Sequence, residues 1–236
     1  AWEIKGLKDR RLLLGMIQPP DLAVTMQFAS NLRTMELPPG SDVFRVAGLP
    51  YEAARNQVFK MALDNGYNLA FLDCDIRAPG NAFMQLWSTG LNFVSGLYYQ
   101  RFHPYRPVCC NLGHDKDGQP VMVPIGFKPG DIFPADFIPA GLCLVRRPVL
   151  EAMAARFPLP YQWGVDIAPV ADYGGGQLPQ SSEDFIFSYR CAQVGHRGYI
   201  TTSVVGLHEV RAVGGPRWVI AYPDNDPLNG IVGVVA

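Results

Sequence analysis

Short apolar runs and amphipathic stretches alternate along the first hundred residues. The apolar runs predict buried strands over residues 11–18, 42–47, 68–75 and 93–99. The stretches between them carry apolar residues at helical spacing and predict helices over residues 21–36, 50–66 and 79–89. Asp21 is the expected N-cap of the first helix, and Gly66 is the expected end of the second. This rhythm predicts a parallel, doubly wound α/β sheet, in which ligands bind beyond the carboxyl ends of the strands.

The second half of the chain has a different pattern. Apolar runs on both sides of Asp117–Gly118 predict a β-hairpin. Further elements are predicted as a strand over 137–146, a helix over 148–156, a helix from about 181 to 195 and a strand over 198–208. Residues 161–180 are rich in Gly, Pro and aromatic side chains and predict a long loop, and the tail from 211 carries no strong pattern. We find no repeat or clear linker and expect a single domain over residues 1–236.

Composition and charge narrow the class of protein. Hydrophobic residues make up 48% of the 236 and charged residues 17%, which is typical of a globular protein with a sizeable core. The formal net charge of -1 gives no support for a nucleic-acid or anionic-membrane partner. Five cysteines without zinc-site spacing indicate reduced thiols in a cytoplasmic protein. We find no signal-peptide pattern and no apolar run of membrane-spanning length, so we expect no transmembrane segment.

The sharpest local motif is Asp73–Cys74–Asp75, which directly follows an apolar run. In an extended chain, the side chains of Asp73 and Asp75 point to the same face. Two such carboxylates repel each other unless a cation lies between them. Mg²⁺ and Mn²⁺ suit this role, because they prefer oxygen ligands and leave coordination positions for phosphate oxygens. The alternative is that one aspartate caps the next turn and the other is solvated.

Two further features carry candidate chemistry. Ser182–Glu183–Asp184 begins a predicted helix, where acidic residues often serve as caps and dipole partners. The functional alternative is a general base that removes a proton from an acceptor hydroxyl. His208 follows an apolar strand, where a neutral imidazole either completes a metal site or packs structurally. The glycine-rich dinucleotide fingerprint, the P-loop and the nucleophile elbow are absent from the sequence.

Six short stretches support a family resemblance by their order along the chain. They are residues 51–56 (YEAARN), 70–76 (AFLDCDI), 94–101 (VSGLYYQR), 140–147 (AGLCLVRR), 182–184 (SED) and 206–208 (GLH). In this order they resemble the GT-A glycosyltransferases, particularly the family-2-like members. The resemblance implies a GT-A (Rossmann-like) α/β fold with a mixed central sheet, helices on both faces and a small β-hairpin. It also implies a nucleotide-binding half over about residues 11–100 and an acceptor half over about residues 101–210, before the tail at 211–236.

The same resemblance assigns site residues by position. Asp73 and Asp75 match the DxD motif of the family, and with His208 they are implied to bind Mn²⁺ or Mg²⁺. Asp184 matches the catalytic base of an inverting enzyme, and Glu183 is its neighbour in the Glu-Asp pair. The residues implied at the donor are Gln18, Pro19, Arg55, Asp73 and Gly141.

The implied reaction moves a sugar from a nucleotide-diphosphate donor, with a UDP-sugar favoured, to an acceptor hydroxyl by direct displacement. The acceptor is open among glycans, small molecules, proteins and modified nucleic-acid bases. The turn Gln18–Pro19–Pro20 departs from the more usual Pro/Thr-rich turn of family-2 enzymes, which leaves the base contacts open. Two alternatives remain. One is a catalytically silent module that binds nucleotide sugars or glycans. The other is a nucleotidyltransferase on a related sheet, although the Gly-rich, Lys/Arg-containing loop of that class is absent.

Overall fold

A computed structural model describes residues 11–18, 20, 24–100, 106–114, 116–118, 120–162, 183–212, 215–220 and 233–235. The described helices are α1 (Met26–Arg33), α2 (Tyr51–Asp64), α3 (Ala82–Ser88), α4 (Arg147–Arg156) and α5 (Glu183–Gln193). The described strands are β1 (Leu12–Gln18), β2 (Asp42–Ala47), β3 (Asn68–Asp73), β4 (Ile76–Arg77), β5 (Phe93–Leu97), β6 (Asn111–His114), β7 (Pro120–Val123), β8 (Ile132–Ala135), β9 (Leu142–Val145), β10 (Gly198–Val205), β11 (Leu207–Ala212), β12 (Gly215–Ile220) and β13 (Gly233–Val235).

The main sheet has seven strands in the order β2-β1-β3-β9-β5-β10-β8. Its first three strands are parallel, as are β5 and β10, but β9 runs antiparallel to both β3 and β5. The prediction of a mixed sheet is therefore confirmed, and the all-parallel sheet that the strand–helix rhythm predicted is wrong at its centre. The chain reaches β9 from its neighbour β5 through β6, β7 and β8, without a described helix. Such a connection does not impose the parallel direction that a helical crossover does.

Helices cover both faces of the sheet, as predicted. The alternating side chains of β1 show why: Leu13 and Ile17 enter one apolar cluster, and Leu12, Leu14 and Met16 enter the other. On the first face, α2, α4 and α5 supply buried residues such as Val58, Met153 and Phe187. On the second face, α1 and α3 supply Phe28 and Phe83. The sheet therefore lies between two apolar layers, and a ligand site is expected at the ends of its strands.

Helix α1 begins later than the sequence predicted. Its N-cap is Thr25, whose Oγ1 accepts a hydrogen bond from the Phe28 N–H at 3.1 Å. The predicted cap, Asp21, lies outside the described residues. A threonine hydroxyl, like an aspartate carboxylate, satisfies one of the free N–H groups of a first turn. The start of the helix therefore depends on which of two suitable caps the chain uses.

The predicted β-hairpin is confirmed as β6 and β7, which pair antiparallel. The predicted strand over 198–208 is instead two strands, β10 and β11, separated at Gly206, whose N–H binds the Leu97 carbonyl at 2.8 Å. Strand β11 belongs to a second sheet with the order β13-β12-β11-β4. The tail without a strong pattern therefore contributes β12 and β13, and the short strands β4 and β8 were not predicted either.

The predicted loop over 161–180 is described only at its first two residues. Tyr161 is fully buried there, stacked on Phe187 at a centroid distance of 4.2 Å. None of the described helices has both the length and the apolar character needed to cross a membrane.

Candidate active site

The predicted site residues meet where several strands of the main sheet end. Asp73 is the last residue of β3 and lies opposite Ile17 of the neighbouring strand β1. Gly141 immediately precedes β9, and its carbonyl accepts the Asp73 N–H at 2.9 Å. His208, in β11, pairs with Ile76 of β4 just beyond Asp75. The topology thus brings residues from distant parts of the sequence to one edge, as expected for the carboxyl ends of parallel strands.

Arg55 links the carboxylates of Asp73 and Glu183. It lies on the inner face of α2 and is 2% exposed. Its Nη2 donates to both carboxylate oxygens of Asp73, at 2.9 and 3.1 Å, and its Nε donates to Glu183 Oε1 at 2.9 Å. The guanidinium also lies over the Phe71 ring, 4.9 Å from its centroid. Such charge-assisted bonds fix direction as well as distance, so Asp73 and the start of α5 are held in one geometry.

Burial and the charge of the ion-pair partner act in opposite directions on the pKa values of Asp73 and Arg55. Burial raises the pKa of the Asp73 carboxyl, Arg55 lowers it, and the negative charges of Asp75 and Glu183 raise it further; the net shift is upward. Burial alone lowers the pKa of the Arg55 guanidinium, but the carboxylates of Asp73 and Glu183 outweigh it, and the net shift is upward. Arg55 therefore keeps its positive charge, which offsets only part of the negative charge of the carboxylates around it.

The Ala140–Gly141 segment lies between two carboxylates. Asp184 Oδ2 accepts a hydrogen bond from the Ala140 N–H at 3.4 Å, and Asp184 Oδ1 accepts one from the Phe185 N–H at 3.0 Å. On the other side, a Cβ on Gly141 would lie 2.9 Å from Asp73 Oδ2. The neighbours Glu183 and Asp184 thus point to different partners, one to Arg55 and the other to this segment.

Gly141 has a second close neighbour, Tyr98, just after β5. The Gly141 N–H donates to Tyr98 Oη at 3.0 Å, and a Cβ on Gly141 would lie only 2.6 Å from that oxygen. Tyr98 was not predicted as a site residue. The available signal was its position directly after a parallel strand, where site residues collect.

Asp75 and His208 form the third part of the site. His208 Nε2 lies 3.5 Å from Asp75 Oδ2, and His208 Nδ1 lies 2.8 Å from the Tyr99 carbonyl oxygen. Because a carbonyl only accepts, Nδ1 carries a proton. In a neutral imidazole Nε2 then presents its lone pair toward Asp75. The Asp75 carbonyl in turn accepts the Glu209 N–H at 2.8 Å, which fixes the two segments to each other.

The donor atoms of Asp75 and His208 suit a divalent cation. Hard cations hold oxygen ligands at roughly 2.0–2.6 Å, so two adjacent ligands of one ion lie about 3–3.7 Å apart. The separation of 3.5 Å between Asp75 Oδ2 and His208 Nε2 falls in this range. Within the described part of the chain, however, no group of three or more His, Cys, Asp or Glu side chains is arranged to hold a metal. Asp73, the third predicted ligand, is instead engaged by Arg55.

The predicted base contacts are described only in part. Gln18 ends β1, and its Oε1 accepts from the Arg45 guanidinium, with the Nε at 3.0 Å. Pro19 lies outside the described residues. Gln18 therefore lies at the correct end of the sheet, but its contact with a nucleotide base stays a prediction.

The cysteines offer no nucleophile. All five are buried, and none forms a disulfide. Burial, with the negative charges of Asp75 and Asp73, raises the pKa of Cys74 to about 12. Because the thiolate is the reactive form, a thiol of this kind is inert at neutral pH. The Cys74 thiol, next to both aspartates, therefore supplies no nucleophile to the site.

Comparison with known proteins supports the fold. No protein-family model and no curated protein sequence matches the chain. Among solved structures, 85% of the chain is similar to 86% of the crystal structure of A197 from STIV, with a TM-score of 0.54 and 16% identity. The same share is similar to 44% of the crystal structure of GalNAc-T7 with UDP, GalNAc and Mn²⁺, with a TM-score of 0.53 and 12% identity. At these identities the likeness shows the fold alone. The predicted GT-A fold is confirmed.

Proposed function

We propose that the protein is a glycosyltransferase that moves a sugar from a nucleotide-diphosphate donor, a UDP-sugar in our favoured form, to an acceptor hydroxyl. The observation that carries this proposal is the position of Ala140–Gly141 between the carboxylates of Asp73 and Asp184. Because Gly141 has no side chain, Asp73 and Tyr98 approach its backbone closely, and the segment lies between an acid suited to the donor and an acid suited to the acceptor. The similarity to a transferase structure solved with UDP and Mn²⁺ supports this choice of donor.

The proposed reaction is a direct displacement with inversion. Asp184 takes the proton of the acceptor hydroxyl, and the hydroxyl oxygen attacks the anomeric carbon of the donor sugar. The bond from that carbon to the diphosphate oxygen breaks, and the electron pair leaves with the diphosphate. Asp184 suits this role because two backbone N–H groups orient its carboxylate while Glu183 satisfies Arg55. Arg55 is buried below Asp73, so its part in donor binding is to fix that carboxylate.

Mn²⁺ or Mg²⁺, held by Asp75 and His208, would neutralise negative charge on the departing diphosphate. The orientation of His208 by the Tyr99 carbonyl supports this assignment, because ring orientation by a backbone partner is typical of histidine ligands. Asp73 enters the metal site only if it gives up part of its bond to Arg55. The acceptor, the cytoplasmic location and the single-domain organisation stay predictions.

Thermal unfolding tests the donor site first. We would compare UDP-sugars and GDP-sugars, each with and without Mn²⁺, on the wild type and on Asp75→Asn. A ligand that binds only the folded state adds about 2.7 kcal/mol of stability at a hundredfold excess over its dissociation constant. We expect a nucleotide-specific shift that needs Mn²⁺ and is lost in Asp75→Asn. The matched control is Asp64→Asn, whose carboxylate pairs with Lys60 on the exposed side of α2.

The outcomes separate the alternatives. A shift followed by release of the sugar in the presence of acceptors supports the transferase. A shift without sugar transfer to any acceptor favours the silent binding module. No shift with any nucleotide in the wild type contradicts the donor site and removes the basis of the mechanism.

A further inference from the structure

Tyr98 contacts two parts of the candidate site that come from different strands. It follows β5 directly and is 5% exposed. Its hydroxyl oxygen accepts the Gly141 N–H at 3.0 Å, at the start of β9. Its ring meets the His208 imidazole edge-on, with centroids 5.5 Å apart and an interplanar angle of 87°. One side chain therefore touches both the segment beside Asp73 and the imidazole beside Asp75.

The hydroxyl contact is specific to tyrosine. A buried hydroxyl is unfavourable unless it forms hydrogen bonds, and here it accepts from a backbone N–H. The carbonyl of the same Gly141 accepts the Asp73 N–H at 2.9 Å. Tyr98 thus fixes a glycine whose other polar atom fixes Asp73. A phenylalanine would fill the same apolar volume but would leave the Gly141 N–H without this acceptor.

The ring contact acts on His208 together with the next residue. The Tyr99 carbonyl holds the Nδ1 proton of His208 at 2.8 Å, while the Tyr98 ring packs against the imidazole. These two contacts define both the tautomer and the plane of the imidazole. Its Nε2 is consequently directed at Asp75, 3.5 Å away.

We propose that Tyr98 is a positioning residue of the nucleotide-sugar site: its hydroxyl holds Gly141 beside Asp73, and its ring holds His208 so that Nε2 faces Asp75. This inference rests on the proposed function. Tyr98 acts through its two neighbours and does not itself touch the reacting atoms. The Val108 N–H donates to the Tyr98 carbonyl at 3.0 Å and fixes the backbone of Tyr98 itself.

Two variants separate the two contacts. Tyr98→Phe removes the hydroxyl and keeps the ring, whereas Tyr98→Leu removes both. The matched control is Tyr161→Phe, which also removes a buried hydroxyl, but one with no hydrogen-bond partner among the described residues. All three variants remove buried atoms, so a general loss of packing is expected to lower the unfolding temperature of each.

Nuclear magnetic resonance of the metal-free protein reads each contact directly. In Tyr98→Phe we expect the Gly141 amide proton to move upfield, while the ¹⁵N shifts of His208 keep the Nδ1-protonated pattern. In Tyr98→Leu we expect those ¹⁵N shifts to move toward a mixture of tautomers. Calorimetry with Mn²⁺ and UDP is expected to show a loss of about 10- to 100-fold in affinity in Tyr98→Leu, the range found for residues that orient metal ligands, and a smaller loss in Tyr98→Phe.

The control is expected to keep the wild-type shifts and affinity. If both Tyr98 variants lower the unfolding temperature but keep the Gly141 and His208 shifts and the wild-type affinity, Tyr98 is only a core aromatic and the proposal is overturned. The two proposals fail differently. A wild-type protein that binds no nucleotide overturns the proposed function, and variants that bind nucleotide as tightly as the wild type overturn the role of Tyr98.

Discussion

Arg55 carries one positive charge between two carboxylates in a place that water barely reaches. Removing an ion from water costs several kcal/mol, and only close hydrogen bonds on well-aligned partners offset this cost. Its three hydrogen bonds to Asp73 and Glu183 provide such geometry. The Arg55 Nη1 atom is buried without a hydrogen-bond partner among the described residues. A group arranged in this way specifies positions more than it adds stability.

Gly141 offers a sharp test at the same scale. We expect Gly141→Ala to lower the free energy of unfolding by about 1–3 kcal/mol, because overpacking of a tight site has a cost of this size. The new methyl group would lie 2.6 Å from Tyr98 Oη and 2.9 Å from Asp73 Oδ2. One of these groups must move, so the nucleotide-induced thermal shift is expected to fall as well. Urea unfolding and the thermal shift check the two effects.

Gly126→Ala is the control, because a Cβ there meets nothing within 4 Å. It is expected to leave nucleotide binding as it is in the wild type. Equal effects of the two substitutions on stability and binding would contradict the close approach at Gly141.

The positions of the individual acids and of His208 in the fold were predictable from sequence, because each of these residues follows an apolar strand or begins a helix. Tyr98 was not, since its role depends on the proximity of the end of β5 to the start of β9. The engagement of Asp73 by Arg55 was not predicted either. Arg55 was assigned to the donor by resemblance, and its burial depends on how α2 packs against β3.

Among the elements, α1 begins at a side-chain cap. It has eight residues, and Thr25 caps its first turn. We expect Thr25→Ala to lower the free energy of unfolding by about 1 kcal/mol, the usual cost of losing a cap. Thr25→Ser keeps the hydroxyl and is expected to restore most of this loss. Urea unfolding of the wild type and of the two variants measures these differences. If the alanine and serine variants were equally stable, Asp21 or another residue would have to be the effective cap.

The elements that the sequence predicted correctly are those with strong local patterns. Strand β2 and the hairpin of β6 and β7 have clear apolar runs or a turn signal. The missed strands β4, β12 and β13 are short or lie in a Gly/Pro-rich tail, and they form by pairing with β11 or with each other. The direction of β9 is likewise set by long-range pairing. Local sequence does not encode such partners.

At the scale of the whole molecule, Arg55 joins the two halves of the chain. It bonds to Asp73 within the first half and, within the second, to Glu183, which lies 128 residues after Arg55. The acid suited to the donor and the helix that carries the proposed base therefore share one cation. A change at either carboxylate is expected to reach the other through Arg55, and in the proposed reaction this ties the donor geometry to the acceptor geometry.

A double-mutant cycle measures this link. Arg55→Met leaves two largely buried carboxylates without their cation and is expected to lower the free energy of unfolding by about 3–5 kcal/mol. Glu183→Gln removes one charge and is expected to have a smaller cost, about 1–3 kcal/mol. Once Arg55 is replaced, Glu183→Gln removes a carboxylate charge that has lost its cation. We therefore expect the double variant to lose less stability than the sum of the two single losses, by about 0.5–3 kcal/mol.

The control cycle uses Lys60 and Asp64, an exposed pair on α2 whose coupling is expected to be about 0.5 kcal/mol or less. If Arg55→Met does not fold, Arg55→Lys takes its place, since it keeps the charge and loses the two-sided geometry. A coupling no larger than that of the surface pair would mean that Arg55 is bound to the two halves independently. A larger coupling, accompanied by weaker Mn²⁺-dependent nucleotide binding in Glu183→Gln, would mean that the base-carrying helix and the donor carboxylate move as one unit.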